Sequence, residues 1–159
     1  MQLKSIEYTD LPQAAAIWNN VVDAGDSFPG DTLLTEAETW EMFSAQTETV
    51  CAHYDGKVVG VYILHPNNIG RCAHIANASY AVHADYRGQG IGRALVEDCI
   101  IRAQKDGFRG LQFNAVVASN TPAIALYLKL GFHILGTVTG GYHYKDGSYR
   151  DTLIFLTTW

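Results

Sequence analysis

Basic residues are few in this sequence: 11 Lys and Arg stand against 16 Asp and Glu, a formal net charge of −5. That deficit removes the general attraction to phosphate backbones and anionic lipid, so nucleic acid and membrane surfaces are poor partners. Cysteine is scarcer still. Cys51, Cys72 and Cys99 are odd in number and far apart, which excludes a disulfide framework and fits a reducing cytoplasm. None has a clear His–carboxylate pairing, and all three read as packing residues rather than nucleophiles. The opening stretch MQLKSIEYTD lacks the apolar core of a secretion signal, and no apolar run approaches the length that spans a bilayer. Proline is limited to four residues, while the 15 glycines are spread along the chain. Low complexity and linkers are thereby excluded. No internal repeat is visible and no metal is called for. What is present is 48% apolar residues, enough for a real core, in a length that suits one domain over residues 1–159.

The local pattern is mixed. Thr9 or Asp10 can cap a first helix that Pro12 enters early, with Ala14, Ile17, Trp18 and Val21 on one face. Residues 23–31 read as a loop. Thr35-Glu36-Ala37-Glu38 is a capping box opening a short second helix whose Trp40 and Phe43 face inward. Runs 49–54 and 57–64 are strands joined by Asp55-Gly56, the favoured pair for a type I′ turn. A polar loop, 65–71, leads to a further strand at 73–82. From Gly90 the period changes: Ile91, Leu95, Cys99 and Ala103 recur every four residues in a helix that stops at Gly107. A buried strand at 110–117 follows, then a helix from Thr121-Pro122 to Gly131, and a closing hairpin of 132–139 and 149–157 around Asp146-Gly147. The order indicates an α/β fold.

The chemistry gathers at Arg87-Gly88-Gln89-Gly90-Ile91-Gly92-Arg93, between a strand and the helix it opens. Partnerless N–H groups of a first helical turn, approached closely through glycines, make a diphosphate the natural occupant, with charge from Arg87 and Arg93. A Walker loop needs Gly-Lys-Ser/Thr, which is absent. A dinucleotide fingerprint fails too, because counting on from Gly88 reaches Arg93 and from Gly90 reaches Leu95. A tight turn without a ligand is the plain alternative.

Taken with its flanks, Val82-x-x-x-x-Arg87-x-x-Gly90-x-Gly92 resembles the coenzyme-A signature of the GNAT superfamily of N-acetyltransferases. Asn120-x-x-Ala123-x-x-Leu126-Tyr127, followed by Leu130-Gly131-Phe132, resembles that family's second motif. The resemblance covers essentially the whole chain. It implies a mixed, mostly antiparallel seven-stranded sheet flanked by about four helices, with acetyl-CoA as acetyl donor. It further implies that the backbone of Tyr80, Ala81 and Val82 pairs with the pantetheine arm as an added strand. Gly88, Gln89, Gly90, Ile91, Gly92 and Arg93, with Arg87, then hold the diphosphate, and Asn120 contacts the pantetheine or the sulfur end. Helix capping is the alternative role for Asn120. Tyr127 is implied as the general acid that protonates the departing thiolate.

Direct attack of an amine on the thioester also needs a main-chain donor at the end of the 73–82 strand and a base, for which His74 or a water chain can serve. Pro66-Asn67 through Arg71, with His74, Asn77, Phe113-Asn114 and Asn120, is similar to fungal acetyltransferases acting on azetidine-2-carboxylate. That similarity implies Asn77 and Asn114 as acceptor-binding residues. Gly141-Tyr142 and Tyr149-Arg150-Asp151 are similar to the phosphinothricin-type enzymes. Both subgroups point to a small-molecule amine, an amino acid or analogue; Phe28 and Tyr142 are candidates to line its pocket, with a role as loop anchors the alternative. A protein or peptide N-acetyltransferase and a non-catalytic acyl-CoA sensor are the alternatives. A homodimer is possible.

Overall fold

The computed structural model describes residues 1–159. Seven strands form one mixed sheet in the order β1-β2-β3-β4-β5-β7-β6, accompanied by four α-helices. The helices are α1 (Leu11–Ala24), α2 (Glu36–Ser44), α3 (Ile91–Lys105) and α4 (Thr121–Lys129). The strands are β1 (Gln2–Ser5), β2 (Glu48–Tyr54), β3 (Lys57–Pro66), β4 (Ile75–Val82), β5 (Gly110–Val117), β6 (His133–His143) and β7 (Tyr149–Thr158). This is the architecture the resemblance implies. Its one unforeseen strand is β1, antiparallel to β2.

Local chemistry accounts for the boundaries. Asp55 and Gly56 both take positive φ, 51° and 74°, the conformation a type I′ turn demands, and they close the β2–β3 hairpin. Thr35 Oγ1 accepts from the Glu38 N–H at 3.1 Å while Glu38 Oε1 accepts from the Thr35 N–H at 3.0 Å, so both halves of the capping box form. Alternation along the central strands divides the core. Tyr62, Leu64, Ala76 and Ala78 face α3, where they meet Leu95, Val96 and Cys99. Val61, Ile63 and Ala81 face α1 and α2, against Ile17, Trp18 and Phe43. Each larger side chain removed from water contributes about 1.5–3 kcal/mol.

The sheet opens at its centre. β4 and β5 run parallel but pair only at Ile75↔Gly110 and Ala76↔Leu111. Beyond Ala76, β4 stays with β3 as far as Val82, while β5 follows β7. The β5–β7 register shifts between Phe113 and Val116, leaving Asn114 and Ala115 out of the ladder beside the opening.

Two sequence expectations are corrected. β4 begins at Ile75 rather than Ala73, so His74 precedes the strand, where it is exposed. Its main-chain oxygen accepts from the Arg109 N–H at the paired end of the strands, away from the gap. Cys72, expected to pack inside, is exposed, whereas Cys51 and Cys99 are buried. Burial is the main cause that pushes the two buried thiols from an ordinary value near 9 up to about 12. In the native protein one thiol of three is expected to react promptly with a thiol reagent at pH 8, and all three after denaturation. The raised thiols hold their full stabilisation below about pH 9, and it is lost as the pH climbs toward 12. Melting temperature should therefore fall along that alkaline limb.

Candidate active site

The opening between β4 and β5 is a cavity of about 390 Å³. Its walls come from both faces of the sheet: Asn77 and Ser79 from the α1 side, Ala78 and Tyr80 from the α3 side, and Phe113, Asn114 and Val117 from β5. Val96 of α3 and Ala123, Leu126 and Tyr127 of α4 complete it. Ser27, Phe28 and Pro29 from the loop after α1 form its roof. That roof is tied to the β6–β7 hairpin, since the Tyr142 hydroxyl donates to the Phe28 carbonyl at 2.7 Å. Lys145 donates through its main-chain N–H to the Gly25 carbonyl at 3.1 Å and through Nζ to the Asp23 carbonyl at 2.6 Å. Phe28 packs against Trp18 with ring centroids 4.6 Å apart. Phe28 lines the pocket as expected, whereas Tyr142 holds it from behind.

A second cavity, about 570 Å³, continues from the first and shares Ser27, Tyr80, Gly92, Asn120 and Pro122 with it. It runs past Val82 to Arg87, Gly88, Gly90 and Ile91 at the start of α3. Gly90 caps that helix in the left-handed region, φ 81°, and no side chain caps it. The Ala94 N–H bonds the Gly90 carbonyl at 3.1 Å, while those of Ile91, Gly92 and Arg93 find no acceptor within the chain. Two of these donor residues, Ile91 and Gly92, line the cavity together with Arg87 at the positive end of the helix, and the third donor, Arg93, follows directly. A Cβ at Gly88 or Gly90 would meet nothing within 4 Å, so the loop is open toward the cavity. An anionic group of diphosphate size fits these residues, and the free edge of β4 beyond Ala76 fits an extended arm.

Of the residues expected from the sequence, Tyr80, Val82, Arg87, Gly88, Gly90, Ile91, Gly92, Asn120 and Tyr127 line this continuous space, as do Asn77 and Asn114. The Ala81 side chain turns into the opposite core, leaving only its backbone for an arm along β4. Gln89 and Arg93 are not in the wall, and Arg93 Nε donates to Glu97 Oε1 at 2.7 Å. Asn120 stands at the N-cap of α4 but makes no side-chain cap bond.

Tyr127 is held by aromatic rings, with centroids 4.6 Å from Phe113, 5.5 Å from Phe155 and 5.6 Å from Phe132. Burial, with the nearby Cys99 thiol a lesser cause, pushes its phenol well above the ordinary tyrosine value. It therefore keeps its proton at all working pH values. Tyr80 is more enclosed: its hydroxyl meets no nitrogen or oxygen partner and lies beside Cys99. Tyr80 and Tyr127 are the only ionisable residues in the wall of the first cavity. No His, Lys, Asp or Glu stands there to act as a base.

The sequence reading did not single out Ser27, Pro29, Ser79 or Val117. Strand alternation from Asn77 would have found Ser79, while Ser27 and Pro29 of the roof had no local signal.

Comparison with known proteins bears on this geometry. Residues 16–132 match the Acetyltransferase (GNAT) family. The chain is 29% identical over 137 residues to the N-acetyltransferase aca1 of Schizosaccharomyces pombe, covering 76% of this chain and 66% of that one. It is 28% identical over 150 residues to phosphinothricin N-acetyltransferase of Alcaligenes faecalis, covering 91% and 76%. A shorter stretch of 74 residues, 46% of this chain and 49% of the relative, is 42% identical to the [ribosomal protein bS18]-alanine N-acetyltransferase of Escherichia coli. Among solved structures, a GCN5-related N-acetyltransferase from Kribbella flavida superposes with a TM-score of 0.92 at 34% identity, over 99% of this chain and 97% of that one. No helix here is long and apolar enough to cross a membrane. A split sheet, an uncapped helix start facing the split and a family match over most of its length place this chain in the GNAT family of acetyl-CoA-dependent N-acetyltransferases.

Proposed function

We propose that this chain, acting as a single catalytic unit, acetylates the amine of a small amino acid or close analogue by direct attack, without an acyl-enzyme. The observation that carries the choice of acceptor is the first cavity: about 390 Å³, roofed by a tied-down loop and polar on one side through Asn77, Ser79 and Asn114. That volume suits a small molecule. The phosphinothricin relative, matched over most of both chains, supports the same class.

Acetyl-CoA supplies an acetyl group activated as a thioester. Arg87 and the main-chain amides of residues 88–93 hold its diphosphate, the β4 edge from Tyr80 to Val82 its arm, and Asn120 the region near sulfur. Tyr127 donates its proton to the sulfur atom as the C–S bond breaks and the C–N bond forms. A free N–H at the end of β4 takes the charge that collects on oxygen. With no side-chain base in the wall of the first cavity, the amine binds in its uncharged form, its nitrogen gives up a proton to water as the C–N bond forms, and water returns a proton to the Tyr127 phenolate.

A CoA-release screen across amino acids, proline analogues, polyamines, aminoglycosides and short peptides tests this reading. Turnover is expected with amino acids and their analogues. The bS18-alanine relative makes a protein N-terminus the second reading, and turnover confined to peptides would establish that instead.

A further inference from the structure

Asn67 stands behind the polar wall of the first cavity rather than in it. It follows β3, its main-chain N–H bonded to the Ile75 carbonyl at 2.8 Å. Its side-chain oxygen lies 3.0 Å from Asn77 Nδ2 and 2.7 Å from Asn114 Nδ2. One oxygen thus joins β4 to β5 across the opening of the sheet.

A single fixed donor dictates which way every carboxamide in this set points. The Ala78 main-chain N–H can only donate, and it reaches Asn77 Oδ1 at 2.7 Å, so the Asn77 nitrogen faces Asn67. Asn67 must then present its oxygen. Asn114, meeting that same oxygen, must present nitrogen, and its own Oδ1 accepts from Gln112 Nε2 at 3.1 Å. Both wall carboxamides therefore have their oxygens engaged, and each retains a second N–H beyond the one given to Asn67.

We infer that Asn67 is a positioning residue that fixes the donor sense of the acceptor site, so that Asn77 and Asn114 offer uncharged N–H groups to an oxygen beside the acceptor's amine. The inference rests on the reading of this cavity as the acceptor site. It narrows the class to amines carrying a neighbouring carboxylate or carbonyl: α-amino acids, their amides and their esters. Simple polyamines have no such oxygen and leave the two donors unmatched, a loss the uncharged wall does not repay.

The test uses Asn67→Ala and Asn67→Asp, each read in two ways. Side-chain carboxamide signals of Asn77 and Asn114 are recorded by ¹H–¹⁵N spectroscopy without acceptor. Steady-state kinetics are then measured with azetidine-2-carboxylate and its primary amide. Asn67→Ala removes the shared oxygen: both signals should shift, and KM for both acceptors should rise about tenfold with KM for acetyl-CoA unchanged. Asn67→Asp keeps an oxygen that accepts from both amides but adds negative charge. Both signals should stay close to their wild-type positions, KM for the amide should recover, and KM for the carboxylate should remain raised. Unshifted signals and an unchanged acceptor KM in Asn67→Ala would overturn the role of Asn67 while leaving the proposed activity intact. Equal losses with the amide in both variants would reduce Asn67 to a structural residue. Absence of wild-type turnover with either compound, while peptides are acetylated, would overturn the small-acceptor reading and this inference with it.

Discussion

Replacing Tyr127 with phenylalanine should lower kcat by about 100-fold or more while leaving affinity for acetyl-CoA within about twofold. The ring of Tyr127 packs against Phe113, Phe132 and Phe155, and phenylalanine preserves those contacts. Melting temperature should therefore stay close to wild type, and the loss can be assigned to the hydroxyl. The pH dependence follows from burial, which pushes this phenol upward. A raised pKa keeps the acid form populated through pH 10, where a solvated tyrosine would have lost half its protons. Wild-type kcat/KM should climb with pH as the acceptor amine loses its proton and show no alkaline fall near 10. The residual activity of Tyr127→Phe should climb in the same way, since that limb belongs to the acceptor. Wild-type kcat in the variant at every pH would reduce Tyr127 to a packing residue.

The parts of the fold legible in the sequence are those whose causes lie within a few residues. The β2–β3 turn depends on Asp55 and Gly56 alone, and α2 on Thr35 and Glu38. The start of α3 depends on glycines adjacent to it. β1 escaped notice because its four residues are mostly exposed, with only Leu3 half-buried. Its strand character comes from pairing with residues 50–53, a tertiary cause. The same holds for the site. The diphosphate loop is local, but the acceptor cavity exists because β4 and β5 part after two residue pairs and a register shift frees Asn114. No run of letters records where strands stop pairing. The roof follows the same rule: of residues 27–29 the sequence singled out only Phe28, and what fixes that loop is a hydroxyl 114 positions away. Asn67 lay inside a motif similar to the fungal enzymes, yet its role rests on bonds spanning 10 and 47 residues. His74, placed in the strand from its sequence, lies just before β4 and lines neither cavity.

Gly92→Glu should separate binding from folding at the cofactor end. Gly92 lies in the first turn of α3 and borders both cavities, and a Cβ there would meet only Val82 Cγ2, at 3.9 Å. The fold therefore accepts a side chain. A carboxylate in the first turn even favours the helix, by about 0.3–1 kcal/mol, and replacing a helical glycine adds up to about 1 kcal/mol more. Thermal stability should hold or rise. Acetyl-CoA binding should collapse, because the new carboxylate occupies the cavity where the Ile91, Gly92 and Arg93 amides and Arg87 are to meet a diphosphate. Like charges held this close in a partly screened site cost roughly 2–4 kcal/mol, or about 30- to 1000-fold in affinity. Gly92→Ala, which adds one methyl group at van der Waals distance, should stay within about threefold of wild type. Calorimetric titration of acetyl-CoA into the three proteins decides the matter. Retained affinity in Gly92→Glu would mean that the diphosphate binds elsewhere, and the role given to the start of α3 would fall with it.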